Sequence, residues 1–361
     1  METDKEKNKI YGKYTSGTGA WLSEDLTGRA LANPFDSEVI DSYVTQLSID
    51  LDRLGIYDQI EAFHVLDIGS GRQALAFKEL GAARIKHFDL SEFNVQRFGK
   101  HLQDQNIQNI FSQHCDLVID PPPAEMFDLV YAHGIVQHTS DPFRFIENLI
   151  KSTRTGGFIW LYWYQPGSPI WLYYFFARLI IKSANIQAEE IRQFLHAQRL
   201  SLKLIDGMLD SFLCPYLHLI QSKHYLEFLS QFDVEIIYQK DVSHGEMTSF
   251  RRSNQSALVG LQKKAPSKGC TVDVQADFVA VDPFDERGYC LEDATIVRYC
   301  RSCISEVTAC LVSEKVDRNN CLSALQILGT AAVTHNRLSP NAATHKNLRY
   351  RFDQCAQLLK H

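Results

Sequence analysis

The sequence predicts an α/β fold built on a mostly parallel sheet, and three observations predict it. Between residues 63 and 164 short apolar runs alternate with segments of helical periodicity. The last of those runs, Phe158 to Tyr164, is apolar on both faces, as a strand covered on both sides must be. The first run, His64-Val65-Leu66-Asp67-Ile68, ends in the turn Gly69-Ser70-Gly71, and the second ends in the acid Asp89. A glycine turn opening a helix, with a carboxylate at the end of the next strand, is how such sheets hold an adenosine.

Each element follows from its own signals. Residues 1–62 read as a polar tail and then helical material. Tyr11 to Gly19 is a glycine-containing segment with two tyrosines, and the end of Asn33 to Ser37 is placed to cap a helix. Val39, Ile40, Tyr43, Val44, Leu47, Ile49, Leu51 and Leu54 recur mostly at three- and four-residue steps, as one helix face would. Phe63 to Ile68 is then a strand, Ala74 to Leu80 a helix stopped by Gly81, Arg84 to Leu90 a strand, and Glu92 to Gln105 a helix. Asn109 to Cys115 and Phe127 to Ala132 are strands three and four. Asp141 to Thr153 is a helix with Pro142 in its first turn, and Gly156-Gly157 turns the chain into strand five, Phe158 to Tyr164.

The alternation breaks at 165–230, a helical insert opened by Ser168 and Pro169 as N-cap and first helical residue. Strands resume at 232–239 and 256–262, separated by a polar loop. Lys263 to Gly269 reads as a linker, and the rest of the chain as helices holding seven of the nine cysteines. The organisation expected is an N-terminal helical segment (1–62), a central domain (63–264) with a helical lid (165–230), and a C-terminal helical region (265–361).

Composition narrows the function. Acidic residues outnumber Lys and Arg by 43 to 37, so no overall basic field favours nucleic acid as a partner. The polar start of the chain is not a secretory signal, and no run is long and apolar enough to span a bilayer. An odd cysteine count without a signal peptide reads as reduced thiols, and a cytoplasmic protein is expected.

Gly69-Ser70-Gly71-Arg72-Gln73-Ala74 formally fits the dinucleotide pattern G-x-G-x-x-G/A, which alone is weak. Asp67, two residues before the first glycine, would repel a pyrophosphate but suits a cationic ligand. Strand four runs on into Phe127-Asp128-Leu129-Val130-Tyr131-Ala132-His133-Gly134-Ile135-Val136-Gln137-His138-Thr139-Ser140-Asp141-Pro142. Together these residues resemble the class I S-adenosylmethionine-dependent methyltransferases, in particular the small-molecule branch with ubiquinone-biosynthesis-type enzymes. Val65 to Gly71 is similar to the family's D-x-G-x-G motif, Asp89 to its ribose-binding acid, and Asp116-Leu117 to the pair that reads adenine. The resemblance implies a Rossmann-like, seven-stranded sheet whose last strand is antiparallel, and S-adenosyl-L-methionine as cofactor. It implies cofactor contacts from Asp67, Gly69, Ser70, Gly71, Asp89, Leu90, Asp116 and Leu117. His133 is expected to line the cofactor tail through its backbone or else to be structural. Where many members have a third glycine, Arg72 and Gln73 stand here, with side chains that either crowd the cofactor or point away.

Methyl transfer is an in-line displacement in which alignment supplies much of the rate, and a base is needed only when the nucleophile holds a proton. His138, just past strand four, is the candidate base; the structural alternative is a histidine packed at the helix start against Asp141. His218 and His224 lie in the insert near Asp206 and Asp210, from which they would reach the site from above. Asp120-Pro121-Pro122-Pro123 precedes strand four, so it reads as a loop and not as the D-P-P-Y motif that follows that strand in base methyltransferases. The segment from Pro169 through Trp171, Tyr173, Tyr174, Phe175 and Phe176 is apolar nearly all round, as a helix buried under the insert would be; contact with a membrane surface is the less favoured reading. Cys300-Arg301-Ser302-Cys303 lacks a second close pair of Cys or His, so buried thiols, and no metal, are expected.

The function expected is methyl transfer to a small apolar or aromatic molecule. Two alternatives share the features: a nicotinamide-dependent oxidoreductase, and a catalytically silent methyltransferase-like subunit acting through its C-terminal helices. The acceptor atom and the oligomeric state are not encoded in any motif.

Overall fold

The computed structural model describes residues 35–164, 170–183, 185–197, 212, 216–220, 222–242, 256–266, 317–337, 350–351 and 353–359. Its centre is a seven-stranded sheet in the order β3-β2-β1-β4-β5-β7-β6. The strands are β1 (His64–Ile68), β2 (Arg84–Asp89), β3 (Ile110–His114), β4 (Phe127–His133), β5 (Thr153–Tyr164), β6 (Val234–Val242) and β7 (Ser256–Lys263). β1 to β5 pair in parallel, and β7 runs antiparallel to both of its neighbours. The order reverses between β1 and β4, and ligands bind beyond the strand ends at such a switch point.

Two cores sandwich the sheet, because its central strands are apolar on both faces. One joins Leu66, Val130, Ala132, Leu161 and Trp163 to helix α4 (Pro142–Ser152) and to Tyr225 and Phe228 of α7 (Ser222–Leu229). The other joins Val65, Leu129, Tyr131 and Trp160 to α1 (Ser37–Leu54), α2 (Arg72–Glu79) and Phe98 of α3 (Glu92–Asp104). Of the helix face expected on α1, Ile40, Leu47, Leu51 and Leu54 make this contact and are buried, whereas Ile49 lies off the face and is exposed. Asp36 takes the N-cap position of α1 without a side-chain cap bond, whereas the Asp141 carboxylate caps α4 by accepting from the amides of Phe143 (3.0 Å) and Arg144 (2.9 Å).

Several boundaries move. α2 begins at Arg72, directly after the glycine turn, and β4 runs on to His133. Gly156-Gly157 is no turn before β5: the strand starts at Thr153, opposite Phe127, and the glycines absorb a bulge that brings Phe158 opposite Leu129. A Cβ on Gly157 would lie 3.0 Å from the Asp128 carbonyl, so the close approach needs glycine.

Past β5 lie α5 (Ile170–Ser183) and α6 (Ala188–Ala197), and the C-terminal helix α8 (Arg318–Arg337) packs against both. Phe176, Ala177, Ile180 and Ile181 of the aromatic helix α5 are buried, which is the buried arrangement its composition suggested. No helix among the described residues is long and apolar enough to cross a membrane. Cys321 and Cys355 are buried, and the Cys355 thiol donates to the Ala324 carbonyl (3.6 Å). The C-x-x-C at 300–303, the capping pair Ser168-Pro169, Asp206 and Asp210 lie outside the described residues, and among those described no group of side chains is arranged to hold a metal.

Candidate active site

The glycine turn is held from three sides. Gly69 (φ +131°) and Gly71 (φ +82°) use backbone conformations that side chains disfavour. The Gly69 amide donates to the Phe88 carbonyl (3.0 Å), and its carbonyl accepts from Nε2–H of His87. A carbonyl can only accept, so the His87 proton sits on Nε2, and Nδ1 accepts from the Ser112 hydroxyl at 2.9 Å. Burial pushes the His87 pKa down to about 4 and keeps the ring neutral. A Cβ on Gly69 would meet the Ile135 side chain at 3.3 Å; one on Gly71 would meet the Phe98 ring at 2.8 Å.

Asp67, the last residue but one of β1, is fully buried. Its Oδ2 accepts from the Ala74 amide (3.0 Å) in the first turn of α2, and its Oδ1 has no hydrogen-bond partner among the described residues. Asp89 ends the adjacent strand β2, its oxygens accepting from the Ser91 amide (2.7 Å) and from Nδ2 of Asn94 (3.2 Å). Burial drives both carboxyls up to about 7, and the Asp89 charge adds to the rise at Asp67. A carboxylate accepts about four hydrogen bonds, so Asp89 retains capacity for a ligand at the end of β2.

The other expected cofactor residues fall along the same edge. Ser70 is half-buried, and its hydroxyl accepts from Nε of Arg72 (2.9 Å). That contact, with the Arg72 guanidinium 4.7 Å over the Tyr43 ring, carries the long side chain toward α1. Leu90 accepts from Nε2–H of His114 through its carbonyl (2.9 Å). Asp116, raised in pKa chiefly by burial, accepts from the Val118 amide (3.0 Å). The Leu117 side chain is in the core and its carbonyl accepts from Nδ2 of Asn148 (2.7 Å), so that residue faces inward.

β4 and the turn after it bring the histidines. His133, the last residue of β4, stacks on Tyr162 of β5 at 4.5 Å between ring centroids. His138 closes a short 3₁₀ turn, its Nδ1–H donating to the Tyr216 carbonyl (3.1 Å) and its ring edge-on to Tyr164. The insert is tied to this turn twice more: the His218 amide donates to the Gln137 carbonyl (2.9 Å), and Nε2–H of His218 to the Thr139 carbonyl (3.0 Å). His218 thus joins the rim of the site, whereas His224 is exposed beside Glu227.

Sequence reasoning missed His87, Phe98 and Asp50. Alternation along β2 puts Ile85, His87 and Asp89 on one face, so an Asp89 assigned to the ligand beside the glycine turn also brings His87 to that turn. Asp50 was marked by being the one acid among Leu47, Leu51 and Leu54 on the buried face of α1.

Residues 66–161 match the family model described as a methyltransferase domain. The chain is similar to a mitochondrial ubiquinone biosynthesis O-methyltransferase of Dictyostelium discoideum, at 26% identity over 39% of this chain and 48% of that protein. It is also similar to a ubiquinone biosynthesis O-methyltransferase of Coxiella burnetii, at 26% identity over 52% of this chain and 76% of the relative. The chain therefore spans about half the length of the first of these relatives and three quarters of the second. Among solved structures, a geranyl diphosphate C-methyltransferase of Streptomyces coelicolor A3(2) aligns at 12% identity and a TM-score of 0.42, over 71% of this chain and 98% of that one. The matched segment, residues 66–161, runs from β1 into β5 of the sheet, and in it the chain carries a methyltransferase domain of the class I S-adenosylmethionine-dependent type.

Proposed function

We propose that the protein transfers a methyl group from S-adenosylmethionine to a hydroxyl of a small apolar or aromatic molecule. One observation carries the choice of cofactor: two carboxylates, Asp67 and Asp89, stand at adjacent strand ends beside the glycine turn, and Asp67 presents a buried oxygen without a partner among the described residues. Such a pair repels a pyrophosphate and suits a ligand with an ammonium group and a ribose diol. When bound, the cofactor supplies an electrophilic methyl on a sulfonium. Asp67 then holds the amino-acid tail against the backbone of Gly69 and Gly71, Asp89 takes the ribose hydroxyls, and Asp116 the adenine edge.

The acceptor side is supported by chemistry and by the relatives. Tyr162, Tyr164, His133 and His138 form an aromatic wall at the ends of β4 and β5, which favours a flat, apolar acceptor. Transfer to oxygen is what the relatives' names describe. The Nδ1–H bond of His138 to a carbonyl leaves the lone pair on Nε2, the form that accepts a hydrogen bond from the acceptor molecule.

Calorimetric titration with S-adenosylmethionine, alongside a fluorescence titration with NADH, tests the reading. Binding of the first alone is expected. Binding of NADH alone would replace the methyltransferase reading with the oxidoreductase one. Cofactor carried through purification, with no labelled methyl passing to any component of a metabolite extract, would instead favour the silent subunit.

A further inference from the structure

A hydrogen-bonded chain runs from the N-terminal helix to the strand end where the acceptor is expected. Asp50 of α1 is buried, and Oδ1 accepts from Nε2 of Gln46 (2.9 Å) and from Nη1 of Arg53 (3.2 Å). Its Oδ2 accepts from the Tyr131 hydroxyl at 2.9 Å. The Tyr131 oxygen lies 3.2 Å from Nδ1 of His133, on the same face of β4 two residues on. Burial raises the Asp50 carboxyl to about 6, and its three donors and the Arg53 charge oppose that rise, so it is ionised at neutral pH.

The proton positions follow. An ionised carboxylate only accepts, so the single Tyr131 hydroxyl proton points to Asp50. The Tyr131 oxygen then accepts from His133, which puts the ring proton on Nδ1 and the lone pair on Nε2. Tyr162, the strand partner of His133, stacks nearly parallel to the ring (13°) and fixes its plane. Tyr131 is the strand partner of Asp67, so His133, two residues further, stands beside the glycine turn that begins two residues after Asp67.

We propose that His133 is the base that receives the acceptor's hydroxyl proton, with Tyr131 and Asp50 as the residues that position it. This rests on the methyltransferase reading above. As the acceptor oxygen's lone pair forms the new C–O bond and the C–S bond breaks with its electrons going to sulfur, the hydroxyl proton passes to Nε2 of His133. The imidazolium so formed is linked through Tyr131 to a buried carboxylate that favours its charge, as an orienting aspartate does in hydrolytic triads. The Nδ1 partner of His138 is a neutral backbone carbonyl, which suits a residue that orients the acceptor.

The test is long-range proton–nitrogen NMR on the full-length protein labelled with ¹⁵N-histidine, with the His133 signals assigned by their loss in His133→Gln. The wild type is expected to show His133 with its proton on Nδ1, and Tyr131→Phe to shift the proton toward Nε2. A wild-type ring protonated on Nε2, or a pattern unchanged in Tyr131→Phe, overturns the relay; the wild-type spectrum decides even where the variant does not fold. With labelled S-adenosylmethionine and catechol as probe, His133→Gln is expected to lower kcat about 100-fold or more, at an unchanged KM for the cofactor. Unchanged kcat in that variant, or no product from the wild type, overturns the base assignment. Absence of cofactor binding by calorimetry would overturn the methyltransferase reading itself, a result separable from binding with the wrong tautomer.

Discussion

Gly71 lies against the ring of Phe98 so closely that a methyl group on its Cα would sit 2.8 Å from the ring. Gly71 caps α2 in a left-handed conformation, φ +82°, and α3 brings Phe98 up beneath it. Gly71→Ala therefore meets both backbone strain and overpacking. A loss of about 2–4 kcal/mol is expected, read as a lower urea midpoint, together with weakened S-adenosylmethionine binding by calorimetry. A variant as stable as the wild type would show that the turn and α3 are free to move apart.

Asp89→Ala is expected to abolish cofactor binding, because the diol loses its acceptor. Asp89 also holds the Ser91 amide and Asn94 at the start of α3, so Asp89→Asn is the cleaner variant. It keeps the volume and one acceptor oxygen. Losing charged hydrogen bonds worth roughly 1.5–3 kcal/mol each predicts a dissociation constant at least about tenfold higher. Unchanged affinity in both variants would remove Asp89 from the site.

The raised carboxyls make binding and stability respond oppositely to pH. Asp67 and Asp89 ionise near 7 in the folded protein and near 3.8 in the unfolded chain. The native state holds protons that the unfolded chain has released, so their contribution is present at low pH and lost as pH rises through about 7. The buried His87, pushed down to about 4 in the fold but titrating near 6.5 in the unfolded chain, adds a smaller slope of opposite sign at the lower end of the pH 6.5–8 window, one group against two. The unliganded Tm is expected to fall across that window, while the increase in Tm caused by S-adenosylmethionine grows as the carboxylates ionise. A cofactor-induced shift larger at pH 6.5 than at pH 8 would contradict this.

His138→Ala removes the side chain bonded to the Tyr216 carbonyl and edge-on to Tyr164. Methyl transfer to catechol is expected to fall about 10–100-fold in kcat/KM, mainly through KM for the acceptor, with cofactor affinity kept. Full activity would show that His138 serves only to seat the insert.

The sequence by itself determined the sheet and the glycine turn with its flanking acids. Period-two and period-3.6 patterning, the glycine turn and the acids at strand ends are local signals, whereas the strand order β3-β2-β1-β4-β5-β7-β6 was seen only in the structure. β5 shows where local reading stops: Gly156-Gly157 has turn chemistry, yet its pairing with Phe127 and Leu129 made it a bulge inside a longer strand. Only the tertiary structure decided the rest. Arg72 turns toward Tyr43 because α1 lies there, 29 residues earlier in the chain. The insert is tied to the His138 turn through Tyr216 and His218, nearly eighty residues away. Asp50 and His133 meet through Tyr131 because a buried acid on α1 must find donors wherever the strands supply them. Pairings at such separations leave no periodicity in the sequence, since they are chosen by the burial of polar groups after the elements have packed.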